Sequence, residues 1–256
     1  MALSNMQIKS YPKRTNHLEL SNGDNSLLWF HTIHSEESEN PMFDELETKI
    51  NNFKPDLVLV EGGYNNRRDN DRTIAIMHGE SSFAAFCANK HNIQVEDIEP
   101  VFSEQIKFLQ NKYKPYDILS FFIVRQIGSI QLKGTTDKHK LDKLMISITN
   151  SLLKNGLIID SSSVNAEKLM MIVNSIISKP INHANWKDSK LYREYAGKRN
   201  ADNVLYHIYK DITEYRNTHI VNTIRNKRET YKRIFIVMGY GHLEATKKEL
   251  QYLYSK

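Results

Sequence analysis

The sequence predicts an α/β fold with a mainly parallel or mixed central sheet, covering helices and a helical middle section. Three observations carry that reading. Apolar runs at 27–30, 56–60 and 233–238 are continuous rather than alternating, as strands buried on both faces are. Strand and helix signals alternate over the first hundred residues, the pattern of a parallel sheet with covering helices. From about residue 101 to 230 the spacing of apolar residues is helical throughout, and one last strand follows.

The elements follow in order. Leu27-Leu28-Trp29-Phe30 leads into His31-Thr32-Ile33-His34 as the first strand. Polar residues 35–40 precede Pro41, which suits the first turn of a helix, and Met42, Leu46, Ile50 and Phe53 keep helical spacing. Lys54-Pro55 breaks that helix before the second strand, which ends in Glu61-Gly62-Gly63. A charged loop at 64–72 is followed by Thr73 to Glu80, then by a helix over 83–90 with Ser81 or Ser82 as its N-cap. Residues 93–100 read as a third strand closed by Pro100. Helices are expected over 102–112, 119–132, 138–153, 164–178 and 204–228. Leu141, Leu144, Met145, Ile148 and Leu152 form one apolar stripe, Met170 and Met171 read as core filler, and Asn155-Gly156 reads as a helix stop. The strand at 233–238 and a helix over 244–254 close a chain expected to form a single α/β domain over 1–256.

Composition bounds the function classes. Apolar content of 40% and charged content of 25% belong to an ordinary soluble globular protein. The net charge of +5 is modest for 256 residues and the basic groups are short, Arg225, Lys227 and Arg228 being the densest, so no nucleic-acid partner is expected. One cysteine, Cys87, excludes an internal disulfide and fits a reducing compartment; its apolar helical setting marks a buried structural thiol. No run reaches the roughly 18 apolar residues of a membrane span, and the polar first 25 residues do not read as a secretory signal. A cytoplasmic protein with no membrane partner is the expectation.

Three apolar runs end in residues that do chemistry, and ligands in open α/β sheets sit beyond the carboxyl ends of the strands. Glu61 follows a mostly apolar run and precedes two glycines; a carboxylate there needs a cation, a metal or several donors. The structural alternative is an ion pair with Arg67 or Arg68. His242, three residues after Gly239, suits a general base, proton shuttle or metal ligand. His34 stands at the tip of the first run and is preferred to His31. Glu80 and Glu99 add carboxylates near the same edge, Glu80 also fitting an exposed first-turn acid favoured by the helix dipole. Arg216 could bind a carboxylate or steady an oxyanion, and Arg125 is expected to have a carboxylate partner. No Gly-x-Ser-x-Gly elbow, phosphate-binding Gly-x-x-x-x-Gly-Lys or His-Glu-x-x-His occurs, which disfavours serine hydrolases, nucleotide hydrolases and zincins.

In order along the chain, Thr32-Ile33-His34, Pro55 to Gly62, Gly79-Glu80, Ile98-Glu99-Pro100, Arg216 and Val237 to His242 resemble the erythromycin esterase, haem-binding ChaN-like, TraB and Tiki superfamily. The resemblance covers most of 27–250. It implies an α/β core with helical additions and a cleft lined by His34, Glu61 and His242, with Glu80 and Arg216 in support. His31 stands where the group's Gly-Thr-x-His motif has glycine. Members of the group include metal-dependent peptidases, metal-independent esterases and haem binders.

The first functional expectation is hydrolysis of an ester or amide in a small-molecule or peptide substrate. His34 or His242 would activate water, Glu61 would orient or share the proton, and Arg216 would steady the oxyanion. A metal-assisted version places a divalent ion on His34, Glu61 and His242. The alternative is a non-catalytic protein that binds haem or another small ligand through a histidine. A degenerate member acting as an interaction protein is the third reading.

Overall fold

All three apolar runs lie side by side at the centre of one mixed sheet. The structure, a computed structural model, describes residues 17–33, 35, 37–62, 69–160, 165–196 and 202–255. Among these residues the sheet has five strands: β1 (Leu18–Asn22), β2 (Asn25–Thr32), β3 (Leu57–Val60), β4 (Gln94–Asp97) and β5 (Arg233–Gly239), in the order β1-β2-β5-β3-β4. The helices in chain order are α1 (Pro41–Phe53), α2 (Arg72–Met77), α3 (Glu80–Asn89), α4 (Phe102–Gln110), α5 (Pro115–Leu132), α6 (Leu141–Lys154), α7 (Ala166–Asn174), α8 (Tyr192–Ala196), α9 (Val204–Lys227) and α10 (Tyr240–Tyr254). The chain forms two compact units, residues 1–99 with 216–256, and residues 100–215.

In the first unit β2, β5, β3 and β4 run parallel, and only β1 is antiparallel. Pairing of Thr32 with Gly239 and of Val60 with Val237 brings the carboxyl ends of β2, β5 and β3 level. Alternate side chains leave a strand on opposite faces, and both faces here are covered. Leu28, Phe30, Val58, Val60, Phe235 and Val237 pack with Met42, Phe43, Leu46 and Ile50 of α1 and with Phe83 to Ala88 of α3. Leu27, Trp29, Leu57, Leu59, Ile234 and Ile236 pack with Ile220, Val221 and Ile224 of α9 and with Leu243, Leu250 and Tyr254 of α10. Two-sided burial is why these strands read as unbroken apolar runs.

Several boundaries differ from expectation. Strand β1 went unread because its alternation is only five residues long; Leu18 and Leu20 face the core, and a turn at Gly23-Asp24 joins it to β2. Residues 72–77 are the short helix α2, capped by Asp71, whose side chain accepts the Ile74 N–H. Neither serine caps α3. Gly79 does so, at φ +89°, a conformation that favours glycine, and the α3 helix begins at Glu80. Strand β4 is shorter than expected, although the Ile98 N–H still donates to Val60 O at 2.9 Å. The closing helix starts four residues early, so His242 lies in the first turn of α10 rather than in a loop.

The second unit is helical, as the sequence indicates. Pro115 occupies the first turn of α5 after an extended Lys114, the usual proline start signal. Leu141, Met145 and Leu152 of α6 are buried, with Leu144 and Ile148 packed against the same core. Asn155 ends α6, and Gly156 follows at φ +94°. Met170 packs against this core, but Met171 is exposed and fills nothing. Arg125 is half-buried on α5, where its charge acts on the Tyr195 hydroxyl. No helix among the described residues is long and apolar enough to cross a membrane.

Candidate active site

Glu61 is the first residue beyond β3, and two backbone bonds fix it at the level strand ends. Its own N–H donates to Val237 O at 3.0 Å, and the Gly239 N–H donates to its Oε2 at 3.1 Å. Glu99 follows the Ile98 bond that extends the β3–β4 pairing, so its side chain reaches the same edge. Arg216 joins the two acids. Its Nε donates to Glu99 Oε1 at 2.7 Å, and its Nη2 donates to both Glu99 Oε1 and, at 3.3 Å, Glu61 Oε1. The three side chains are only 11%, 22% and 15% exposed for Arg216, Glu61 and Glu99, so this is a largely desolvated ion-pair triad. The Nη1 donors of Arg216 make no hydrogen bond among the described residues. The chain leaves the sheet unit after Glu99 and returns at Arg216, so this ion pair also joins the two points where the helical unit is inserted.

His242 completes the cluster. One ligand atom each from Glu61, Glu99 and His242 lies within 4.8 Å of the others. Groups that close can pass a proton directly or through one bridging water. The His242 Nδ1 lies 2.7 Å from Asn217 Oδ1. A carbonyl oxygen can only accept, so this bond forms in the tautomer that carries the proton on Nδ1 and leaves the lone pair on Nε2. Arg216 and Asn217 are consecutive on α9, one gripping the acids and the other the imidazole. Gly62 makes room for the arrangement: a Cβ there would stand 3.0 Å from Glu99 Oε2. The Ser81 hydroxyl donates to Glu61 O at 2.7 Å, tying α3 to the end of β3.

Of the residues singled out in the sequence, Glu61, Glu99, Arg216 and His242 come together. Within the described residues the cationic partner of Glu61 is Arg216; Arg67 and Arg68 lie outside them, as does His34. The expected ligand set of His34, Glu61 and His242 is therefore represented by Glu61 and His242, with Glu99 as the third donor. Glu80 is buried rather than exposed, and its carboxylate accepts the Ser35 N–H at 2.8 Å. His31 is buried between His17 and Tyr240, with ring centroids 5.4 and 5.6 Å away. Asn217 and the spatial role of Gly62 escaped the sequence reading. The signal for Asn217 was its place beside Arg216 on a helix feeding the last strand.

Two carboxylates and one imidazole with open positions are a donor set suited to a divalent ion. Arg216 already places a positive charge on oxygens of both acids, so an ion bound there enters beside a cation. No protein-family model matches the chain, and no curated protein and no solved structure matches it.

Proposed function

We propose that Glu61, Glu99, Arg216 and His242 form the catalytic centre of a hydrolase that cleaves an ester or amide bond in a small-molecule or peptide substrate. The observation that carries this reading is the convergence of Glu61, Glu99 and His242 within 4.8 Å, with Arg216 bridging the two acids. His242 Nε2 takes a proton from water as its oxygen bonds to the substrate carbonyl carbon. Arg216, through its Nη1 donors, faces the negative charge that develops on the carbonyl oxygen. Collapse of the tetrahedral species breaks the bond to the leaving alcohol or amine, which receives the proton from His242. Glu61 and Glu99 hold the guanidinium in place.

A metal-assisted version is the second reading, favoured by the ligand spacing alone. Glu61, Glu99 and His242 would hold the ion, which would lower the pKa of bound water. The presence of Arg216 on the same oxygens favours the metal-free version. Charged walls around His242 also favour hydrolysis over haem binding, because a porphyrin needs an apolar slot beside its axial histidine. The resemblance to the erythromycin esterase, ChaN-like, TraB and Tiki group includes the stretches that hold Glu61, Glu99, Arg216 and His242; its members number hydrolases and haem binders alike, so it supports the site rather than one reaction.

The test is a panel of activated esters and peptide amides, run with and without chelator on protein purified without a histidine tag. Chelator-resistant hydrolysis is expected, with a loss of about 100-fold or more in His242→Ala. Activity that vanishes with chelator overturns the metal-free version. Activity unchanged in both Glu61→Gln and His242→Ala overturns the site.

A further inference from the structure

We propose that Asn217 is the positioning residue of this centre, holding the His242 imidazole in the tautomer that keeps Nε2 basic. This rests on the reading of His242 as the group that moves the proton. Free imidazole side chains favour the opposite tautomer, with the proton on Nε2. A general base needs an unprotonated nitrogen aimed at water, so an acceptor at Nδ1 is required to hold the productive form. Asn217 Oδ1, 2.7 Å from Nδ1, is such an acceptor. It is also neutral. A carboxylate in the same place would stabilise the charged imidazole, whereas an amide fixes tautomer and ring orientation without adding charge to a site that already holds two acids. The α9 backbone carries both Arg216 and Asn217, so one rigid helix sets the oxyanion donor and the base together.

The test reads the tautomer directly. Protein labelled with 15N-histidine is examined by long-range 1H–15N correlation, with His242 assigned among the ten histidines by its loss in His242→Gln. In the unaltered protein the proton is expected on Nδ1. In Asn217→Ala it moves to Nε2, and hydrolysis falls roughly 10- to 100-fold, as for other residues that orient a catalytic imidazole. Asn217→Asp, close in shape and the safeguard should the alanine variant fail to fold, keeps the proton on Nδ1. An unchanged tautomer in Asn217→Ala, or a proton on Nε2 in Asn217→Asp, overturns the inference. An Asn217-dependent tautomer in a protein that hydrolyses nothing leaves the positioning role standing and removes the hydrolase.

Discussion

Replacing Arg216 by Met removes the one cation that, among the described residues, stands between Glu61 and Glu99. The guanidinium is 11% exposed, and its acids are 22% and 15% exposed, so water compensates little of the loss. The two carboxylates would face each other within 4.8 Å. At an effective dielectric of about 20, like unit charges at that distance repel by about 3.5 kcal/mol. Losing one partner of a buried ion pair costs about 3 to 5 kcal/mol in other proteins, which agrees. Arg216→Met is therefore expected to lose about 3 kcal/mol, seen as a fall of more than about 1 M in the urea midpoint of the sheet unit. Followed by tryptophan fluorescence, the transition of that unit is reported by Trp29, buried in its core. Adding Glu99→Gln removes the repulsion, and the double variant should recover most of the deficit. An Arg216→Met protein within about 0.5 kcal/mol of the parent, the range of an ordinary surface substitution, would refute the reasoning. So would a double variant no more stable than the single one.

Other perturbations act through separate features. In Gly62→Ala the new methyl meets Glu99 Oε2 at 3.0 Å, and Arg216 prevents that carboxylate from yielding. Hydrolysis should fall about tenfold or more for a stability loss of about 1 to 3 kcal/mol, and an unchanged rate contradicts the packing. Burial holds His17 and His31 below the usual imidazole value, His31 further so because His17 lies beside it; Glu45 opposes both shifts, as does Glu19 for His17, while Lys49 adds to that of His17. The unfolded chain thus takes up protons at a pH where the folded chain does not. Stability is full above about pH 6.5 and declines as the pH falls below it. Urea midpoints between pH 7.5 and 5.5 should drop in the parent and drop less in His17→Gln. The Cys87 thiol is 1% exposed and burial pushes it up to about 12. A thiol reagent at pH 8 should label it only after denaturation; rapid native labelling would place it at the surface.

The strands were legible because burial on both faces leaves an unbroken apolar run, as in Leu57 to Val60 and Ile234 to Met238. Their adjacency followed from parallel topology, and their level ends followed from register. Strand β1 was not legible, since Leu18 and Leu20 alone mark its buried face. Gly79 shows why the start of α3 was misplaced: the cap there is a backbone conformation, not a side-chain acceptor, and serines nearby gave a false signal. For the site, Glu61 and His242 announced themselves at strand ends. The Arg216–Glu99 pair could be named as two candidates but not as a pair, because 117 residues separate them and charge pairing carries no sequence period. Asn217, marked only by its place beside Arg216, escaped for a related reason. An amide acquires a role only from what faces it, and its neighbour is 25 residues away.

Kinetic coupling between Glu61 and His242 tests the shared site most directly. If both serve one centre, Glu61→Gln and His242→Ala should each lower kcat/KM of the best substrate in the panel steeply. The double variant should then lose little more than the worse single one, because residues acting as a unit are strongly non-additive. Losses that multiply in the double variant, with all three proteins folded by circular dichroism, would mean that the two side chains act independently and that the strand ends do not form one catalytic centre.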